Sequence, residues 1–347
     1  MTPGVLPRLH LFALGGTIAM GREDGGGVVP SLDAAGLLES VPELATVAQL
    51  GVTSFRQVPG AHLRFEDLEA LAAAIEAQAA AGVQGVIVTQ GTDTIEETAF
   101  ALDRLVAADI PVVVTGAMRN PSVTGADGPA NLLAASRVAA VAVLADNGCL
   151  VVMNDAIHAA RFVRKMHTSR PDAFQSPDVG PVGWLVEGRV RVVARVGRRE
   201  PLQRLASPRP SRVACVVLTL DDDGALVRLA VESGCTGVVV AALGGGHASP
   251  AAAQAIADAA RSVDVVLASR AGAGEVLRGT YGFEGSEIDL QRRGAVCSGT
   301  LDALKARVLL TLLQRHRDSV DLRKEIADDP ACSPRLPCEA RPTAVRA

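Results

Sequence analysis

Short apolar runs alternate with longer alanine-rich stretches along most of this chain. Runs of Val, Ile and Leu without polar alternation are typical of strands buried on both faces of a parallel sheet, and the alanine-rich stretches are typical of connecting helices. The pattern therefore predicts an α/β fold with parallel sheets. The predicted strands are Leu9–Leu14, Gly85–Thr89, Pro111–Thr115, Cys149–Met153, Val213–Leu218, Gly237–Ala241 and Val263–Leu267, and the predicted helices include Phe65–Ala81, Thr94–Ala107 and Ala130–Val143.

A segment rich in charge and proline interrupts this alternation at residues 198–212, and the strand and helix pattern restarts after it. We therefore predict a larger N-terminal domain at residues 1–197, a linker at 198–212 and a smaller C-terminal α/β domain at 213–320. Residues 321–347 contain proline and arginine with little apolar content, which predicts a flexible tail.

Two of the predicted strands are each followed closely by glycine and threonine. Gly16-Thr17 comes after the first strand, and Gly91-Thr92 comes after the second. Glycine permits a sharp turn and a close approach of backbone N–H groups to a ligand, and ligands of parallel sheets bind at the carboxyl ends of strands. A single threonine in such a place is most often a helix cap or a strand-end hydroxyl. Two such turns predict a site that holds an anion or oxyanion.

The second turn also carries signals for the start of a helix. The spacing of Thr94 and Glu97 fits a capping box, in which each side chain bonds to a backbone N–H of the first helical turn. That box would place Thr92 and Asp93 beside unpaired N–H groups at the positive end of the helix dipole. Taken alone, Asp93 is also consistent with a simple partner of that dipole.

These turns resemble two motifs of the bacterial-type L-asparaginase/glutaminase family, in which Thr-Gly-Gly-Thr-Ile-Ala and His-Gly-Thr-Asp-Thr segments bring two threonines to one amide. The matching stretches here are Leu14-Gly-Gly-Thr-Ile-Ala19 and Gln90-Gly-Thr-Asp-Thr94. Other segments similar to the family follow in family order, so that the resemblance runs from near Leu9 to near Arg317. These segments are Gly116-Ala-Met-Arg119, Val152-Met-Asn-Asp155, Gly180-Pro-Val-Gly183, Ser298-Gly-Thr300 and Lys305-Ala-Arg-Val-Leu-Leu310.

The resemblance implies hydrolysis of a small amide by a larger, mostly parallel N-terminal α/β domain joined to a smaller C-terminal α/β domain. Without a metal, this reaction needs a nucleophile, a proton acceptor and donors for the developing oxyanion. By resemblance, Thr17 is the nucleophile that forms an acyl-enzyme, and Thr92, Asp93 and Lys165 form a second hydrogen-bonded set. No metal or other cofactor is expected.

The resemblance also implies how substrate is held. Gly16, Gly91 and Ala117 would lie against the substrate and supply backbone contacts. Asp93 would bind the α-ammonium group of an amino-acid amide.

Two further positions come from counting along the matching segments. Lys165 lies ten residues after Asp155, and the neighbouring Arg164 leaves a one-residue slip open. Glu287, eleven residues before Ser298, matches a family glutamate that reaches the site from a neighbouring subunit. It implies a homo-oligomer, a tetramer of two intimate dimers, although an isolated glutamate is usually a solvated loop acid.

The chain departs from the family pattern near the predicted substrate. The loop Met20–Pro30 lacks the tyrosine that the family uses to activate the nucleophile, and the single tyrosine is Tyr281. Ala61 and His62 replace a serine and a glutamine of the substrate-binding segment, and His247 stands where the family has an asparagine. For His62, a structural role and a role in ligand binding or proton transfer are equally open. The changes favour an altered substrate preference.

Composition excludes several other classes of function. The formal charge of −4 comes without a basic stripe, so nucleic acid and anionic membrane surfaces are not expected partners. The sequence has no run of 18 apolar residues and no secretory leader pattern, so we expect a cytoplasmic protein without membrane association. The six cysteines show no metal-ligand spacing and are expected to be reduced thiols.

Three hypotheses remain beside hydrolysis of L-asparagine. The altered segment favours the same chemistry on another amide or lactam, such as glutamine, a D-amino acid amide or an N-substituted asparagine. The absent loop tyrosine favours a catalytically silent amino-acid-binding protein. An amidotransferase subunit that acts on charged tRNA shares the fold, but the acidic chain argues against it.

Overall fold

The computed structural model describes residues 5–16, 20–22, 28–30, 34–317 and Glu325. The chain divides into two compact units, one ending at Arg204 and the other beginning at Leu205. Each unit has its own sheet and its own buried apolar core. The predicted nucleophile Thr17 and the predicted tail, apart from Glu325, lie outside the described residues.

The first unit contains a large sheet with helices packed against it. Its described strands are β1 Arg8–Ala13, β2 Met20–Arg22, β3 Val28–Pro30, β4 Gln49–Ser54, β5 Gly85–Thr89, β6 Val112–Thr115, β7 Cys149–Met153, β8 Ala156–Ala159, β9 Arg164–Lys165, β10 Phe174–Gln175, β11 Gly183–Val186 and β12 Arg189–Val192. Its described helices are α1 Ala34–Glu39, α2 Phe65–Ala80, α3 Ile95–Leu105 and α4 Gly128–Ala139, with short 3-10 turns at Pro42–Thr46, Gly60–His62, Thr92–Thr94 and Ala142–Asn147.

Eight of these strands form one sheet in the order β12-β11-β8-β7-β6-β5-β1-β4. The five neighbouring strands β7, β6, β5, β1 and β4 run parallel, and every residue of β5 and β7 is buried. This burial explains their unbroken apolar sequences, because helices cover both faces of a parallel sheet. The other three strands, β8, β11 and β12, pair antiparallel at one edge. The sequence analysis did not predict this antiparallel edge.

The second unit is a smaller layered α/β structure. Its strands are β13 Val213–Val217, β14 Gly237–Ala242, β15 Asp264–Ser269 and β16 Val296–Cys297, which pair parallel in that order. Its described helices are α5 Ala225–Glu232, α6 Pro250–Ala259, α7 Glu287–Arg292 and α8 Ala303–His316. The two sheets confirm the predicted α/β class with a larger, mostly parallel sheet and a second, smaller one.

Candidate active site

The two predicted threonine turns lie side by side because β1 and β5 are adjacent parallel strands. Ala13 pairs with Thr89 at the ends of these strands, and the Leu14 N–H continues the ladder by donating to the Thr89 carbonyl at 2.8 Å. Beyond the strands, Gly16 lies so close to Gly91 that a Cβ on Gly16 would be 2.0 Å from the Gly91 backbone nitrogen. Only glycine fits there. The residues that precede the two threonines are therefore in direct backbone contact.

A third segment joins this contact from the turn Gly60–His62. A Cβ on Gly60 would lie 2.7 Å from the Gly91 carbonyl oxygen, and one on Gly91 would lie 2.8 Å from the Gly60 nitrogen. Ala61 and His62 follow on the exposed side of the turn. The segment that sequence comparison assigned to substrate binding thus touches the second threonine turn.

Lys165 connects the remaining predicted groups. Its ammonium nitrogen donates to the Thr92 hydroxyl at 2.9 Å and to the Asp93 carboxylate at 3.3 Å. Thr92 is buried, whereas the Asp93 side chain is 63% exposed, so the ion pair itself contributes little to stability. Lys165 is one of the two candidates for this position, and its side chain contacts Thr92. These contacts agree with the prediction of Lys165, whose catalytic role stays a prediction.

This pairing can do proton chemistry. Because the Thr92 oxygen accepts from Lys165, the hydroxyl proton of Thr92 is left to be donated elsewhere. An ammonium group at this distance also stabilises negative charge that develops on the hydroxyl oxygen. The short contact between the two side chains is a path along which a proton can pass.

A buried acid that the sequence analysis missed fixes the backbone of Lys165. The Lys165 N–H donates to the Glu96 carboxylate at 3.3 Å, and Glu96 is buried in the first turn of α3. Antiparallel pairing with Phe174 in β10 holds the other side of the short β9 strand. An acidic residue in the first helical turn, directly after the threonine motif, was the signal available in the sequence.

Another missed network positions Ala117. The Asn131 amide nitrogen on α4 donates to the Gly116 carbonyl at 3.0 Å and also to Asp127. Asp127 accepts the next two backbone N–H groups after Ala117, from Met118 at 3.0 Å and from Arg119 at 2.8 Å. Ala117 is buried. A polar residue among the apolar positions of a helix was the only signal for Asn131.

The capping box predicted for Thr94 and Glu97 is wrong. A 3-10 turn at Thr92–Thr94 precedes α3, and among the described residues the Thr94 side chain accepts no capping bond from that helix. Its hydroxyl instead donates to the Gly60 carbonyl at 3.0 Å. The tertiary contact with Gly60 outweighs the local one.

In the second unit, His247 and Glu287 form a cluster with two aromatic rings. His247 packs edge-on against Tyr281 and Phe283, with ring centroids 5.0 and 5.1 Å away, and its Nε2 lies 3.3 Å from the Glu287 carboxylate. The other Glu287 oxygen accepts the Thr280 and Tyr281 N–H groups, both at 2.7 Å. Burial would raise the pKa of Glu287, but the Tyr281 and Thr280 N–H groups and nearby His247 outweigh burial and lower it.

The role that the resemblance implied for Glu287, contact with substrate from a neighbouring subunit, stays a prediction. The Glu287 side chain is 0% exposed at the start of α7. Its carboxylate anchors the preceding loop of its own unit. The substrate-binding role of His247 stays a prediction.

Similarity to known proteins covers almost the whole chain. The family model for the asparaginase N-terminal domain matches residues 8–197, and the model for the glutaminase/asparaginase C-terminal domain matches residues 212–326. The chain belongs to the asparaginase family. The resemblance inferred from the sequence motifs is thereby confirmed, and with it the assignment to the amidohydrolases.

Individual relatives agree with these matches. The L-asparaginase of Bacillus licheniformis is 34% identical over 314 residues, which cover 88% of this chain and 95% of that protein. The "Probable L-asparaginase" of Deinococcus radiodurans is 37% identical over 318 residues, 90% of this chain and 94% of that one. The crystal structure of a "Probable Cytoplasmic L-asparaginase" from Campylobacter jejuni matches with a TM-score of 0.82 at 30% identity, covering 93% and 98% of the two chains.

The described residues include neither a cluster of metal-binding side chains nor a helix able to span a membrane. No group of three or more His, Cys, Asp or Glu side chains there is placed to hold a metal ion. None of the helices in the described part of the chain is long and apolar enough to cross a membrane.

Proposed function

We propose that the protein hydrolyses a small carboxamide, by default L-asparagine to L-aspartate and ammonia. The observation that carries this proposal is the contact between Lys165 and Thr92, on a turn whose Gly91 packs directly against Gly16. The relatives named L-asparaginase support asparagine as the default substrate.

In the proposed reaction, the Thr17 hydroxyl oxygen attacks the amide carbon and its proton passes to a base. The new C–O bond gives a tetrahedral oxyanion, which collapses as the C–N bond breaks and the nitrogen leaves with a proton as ammonia. Water then attacks the acyl-enzyme and releases the acid and the Thr17 hydroxyl. The proposed role of Thr92 and Lys165 is to move a proton or to stabilise negative charge in these steps.

The exposed carboxylate of Asp93 is proposed to hold the substrate's α-ammonium group. Among the described residues the Asp93 carboxylate pairs with Lys165, and its exposed surface leaves room for a second cationic partner. Gly16, Gly91 and Ala117 are proposed to lie along the substrate, where the glycines let it approach the backbone.

A second candidate is the same chemistry on a different amide or lactam. His62 and Ala61 favour it, because both occupy the exposed side of the turn that touches Gly91, and neither is the residue that the family uses there. An imidazole in place of a carboxamide changes the size and hydrogen bonding of that side of the site.

Assembly and compartment are proposed from similarity. We propose a homotetramer of two intimate dimers that works in the cytoplasm. The description of the Campylobacter jejuni relative as cytoplasmic supports the compartment.

Ammonia release from asparagine, glutamine, their D-forms, and β-aspartyl or N-substituted derivatives tests the proposal. We expect turnover of at least one, with loss of activity and of a trapped acyl-enzyme in Thr17→Val. Folded protein that turns over none of these amides would overturn the proposed function. Equal activity of Thr17→Val and the unmodified chain would overturn the assigned nucleophile.

A further inference from the structure

We propose that Gln90 and Thr94 are positioning residues, which hold the threonine turn in register with the Gly60–His62 segment through one chain of side-chain hydrogen bonds. The inference rests on the proposed function for its kinetic consequence. Its structural part stands on the contacts alone.

The junction that these residues serve has no interlocking side chains. Gly16, Gly60 and Gly91 meet backbone to backbone, and each hypothetical Cβ described above would collide with its neighbour. Contacts between bare backbones resist compression but do not resist sliding, because van der Waals attraction is weak and not directional. Directional bonds must therefore set the offset of Gly60 from the threonine turn.

The chain of hydrogen bonds supplies that direction. The Gly60 carbonyl can only accept a hydrogen bond, so the Thr94 hydroxyl donates its single proton to that oxygen, at 3.0 Å. Thr94 must then accept in its other bond, which comes from the Gln90 amide nitrogen at 3.2 Å. The same nitrogen donates to the Gly91 carbonyl at 3.2 Å, which fixes the orientation of the amide. The polarity runs in one direction, from Gln90 through Thr94 to Gly60.

Gln90, the first donor in this series of hydrogen bonds, is held rigidly. Gln90 is fully buried, and its backbone N–H donates to Thr115 on β6 at 3.2 Å. These hydrogen bonds thus tie the sheet to the Gly60–His62 segment. They bridge over Thr92 and Asp93, which lie between Gln90 and Thr94 in the sequence. Its geometry sets how far Thr92 stands from Ala61 and His62.

Among the described residues, these hydrogen bonds do not involve Thr92, Asp93 or Lys165. Lys165 still contacts Thr92 when Thr94 loses its hydroxyl, so the proton chemistry should survive. The Gly60 segment, which is proposed to bind substrate, should move. Loss of these hydrogen bonds should therefore raise KM more than it lowers kcat, and it should leave the pH profile of activity unchanged.

Thr94→Val removes the hydroxyl with little change in volume, and Thr94→Ser restores it. We expect kcat/KM to fall about tenfold or more in Thr94→Val, mostly through KM, and to recover in Thr94→Ser. Thr311→Val on α8 is the matched control, since the Thr311 hydroxyl also donates to a single carbonyl, that of Arg307, at 2.8 Å. It should leave KM unchanged.

A second variant keeps the test open if Thr94→Val folds poorly. Gln90→Met removes both donated bonds and also removes an amide oxygen that is buried and has no hydrogen-bond partner among the described residues. Because that oxygen is a cost to stability, this variant should fold well. The double variant should cost no more in KM than the worse single variant, since both break the same chain.

Hydrogen exchange gives a readout that does not need activity. Amides of residues 60–63 should exchange faster in Thr94→Val and Gln90→Met than in the Thr311→Val control. If the unmodified chain hydrolyses no amide, the proposed function fails, and exchange alone decides this inference. Unchanged exchange at residues 60–63, or an equal KM in Thr94→Val and Thr94→Ser, would overturn it.

Discussion

Acid should destabilise the first unit through one buried histidine. His158 on β8 is almost completely buried, and its Nδ1 lies 2.9 Å from the Ser176 hydroxyl. Burial lowers the pKa of His158 from 6.5 to about 4. The imidazole is therefore neutral in the folded protein at neutral pH, and the perturbation of interest is its protonation.

The two pKa values give the direction and the magnitude of the change in unfolding free energy with pH. Between pH 6.5 and 4 the unfolded chain binds a proton at His158 and the folded chain does not. The contribution of neutral His158 to stability is therefore complete above pH 6.5 and is lost as the pH falls toward 4. The two values correspond to a loss of about 3 kcal/mol at the acid limit, and of about 2 kcal/mol by pH 5.

The single tryptophan of the chain provides the assay. Trp184 on β11 pairs with Ala156 on β8, so its fluorescence reports the unfolding of the unit that contains His158. Urea unfolding at several pH values between 7.5 and 5 should be compared with His158→Asn, which can keep the bond to Ser176 but does not titrate. The difference in unfolding free energy between the two proteins should shift by about 2 kcal/mol over this range.

Two results would refute this reasoning. The first is a pair of stability curves that stay parallel from pH 7.5 to 5. The second is an NMR titration that places the pKa of His158 near 6.5, since burial would then not be excluding the charge.

Two further predictions concern the site. Lys165→Met should lower kcat by about a hundredfold or more, because Thr92 loses its only described cationic donor. The control variant Arg164→Met should lose far less activity. Equal losses of kcat in a steady-state ammonia assay would contradict the assignment of Lys165. Gly16→Ala should destabilise the first unit by more than about 2 kcal/mol in the tryptophan assay, since its Cβ meets Gly91 at 2.0 Å and its φ is +90°. At Gly180, where φ is +75°, an added Cβ would meet no other described residue within 4 Å beyond its chain neighbours, so Gly180→Ala should cost less stability. Comparable costs would argue against close packing as the cause.

The buried parallel strands could be predicted from the sequence because their apolar runs have sharp ends. Gly85–Thr89 and Cys149–Met153 match β5 and β7 residue for residue. The antiparallel edge was missed because its strands are short and partly exposed. Its turns did carry signals, since Asn154-Asp155 and Glu187-Gly188 both lie at positive φ, as two-residue hairpin turns require.

The candidate site divides in a similar way. Motif order found Thr92, Asp93 and Lys165, which the structure brings together, because the family pattern fixes their identity and spacing. It did not find Glu96 or Asn131, whose contacts depend on tertiary packing and not on sequence spacing.

The junction of Gly16, Gly60 and Gly91 has a consequence for how the enzyme's substrate range can be changed. None of the three can accept a side chain, so this backbone junction, next to the proposed catalytic residue Thr92, is closed to variation. Ala61 and His62, the next two residues after Gly60, are exposed and bear no such restriction. Libraries that randomise these two positions should therefore yield folded variants with new amide preferences, while randomising the glycines should yield mainly inactive protein.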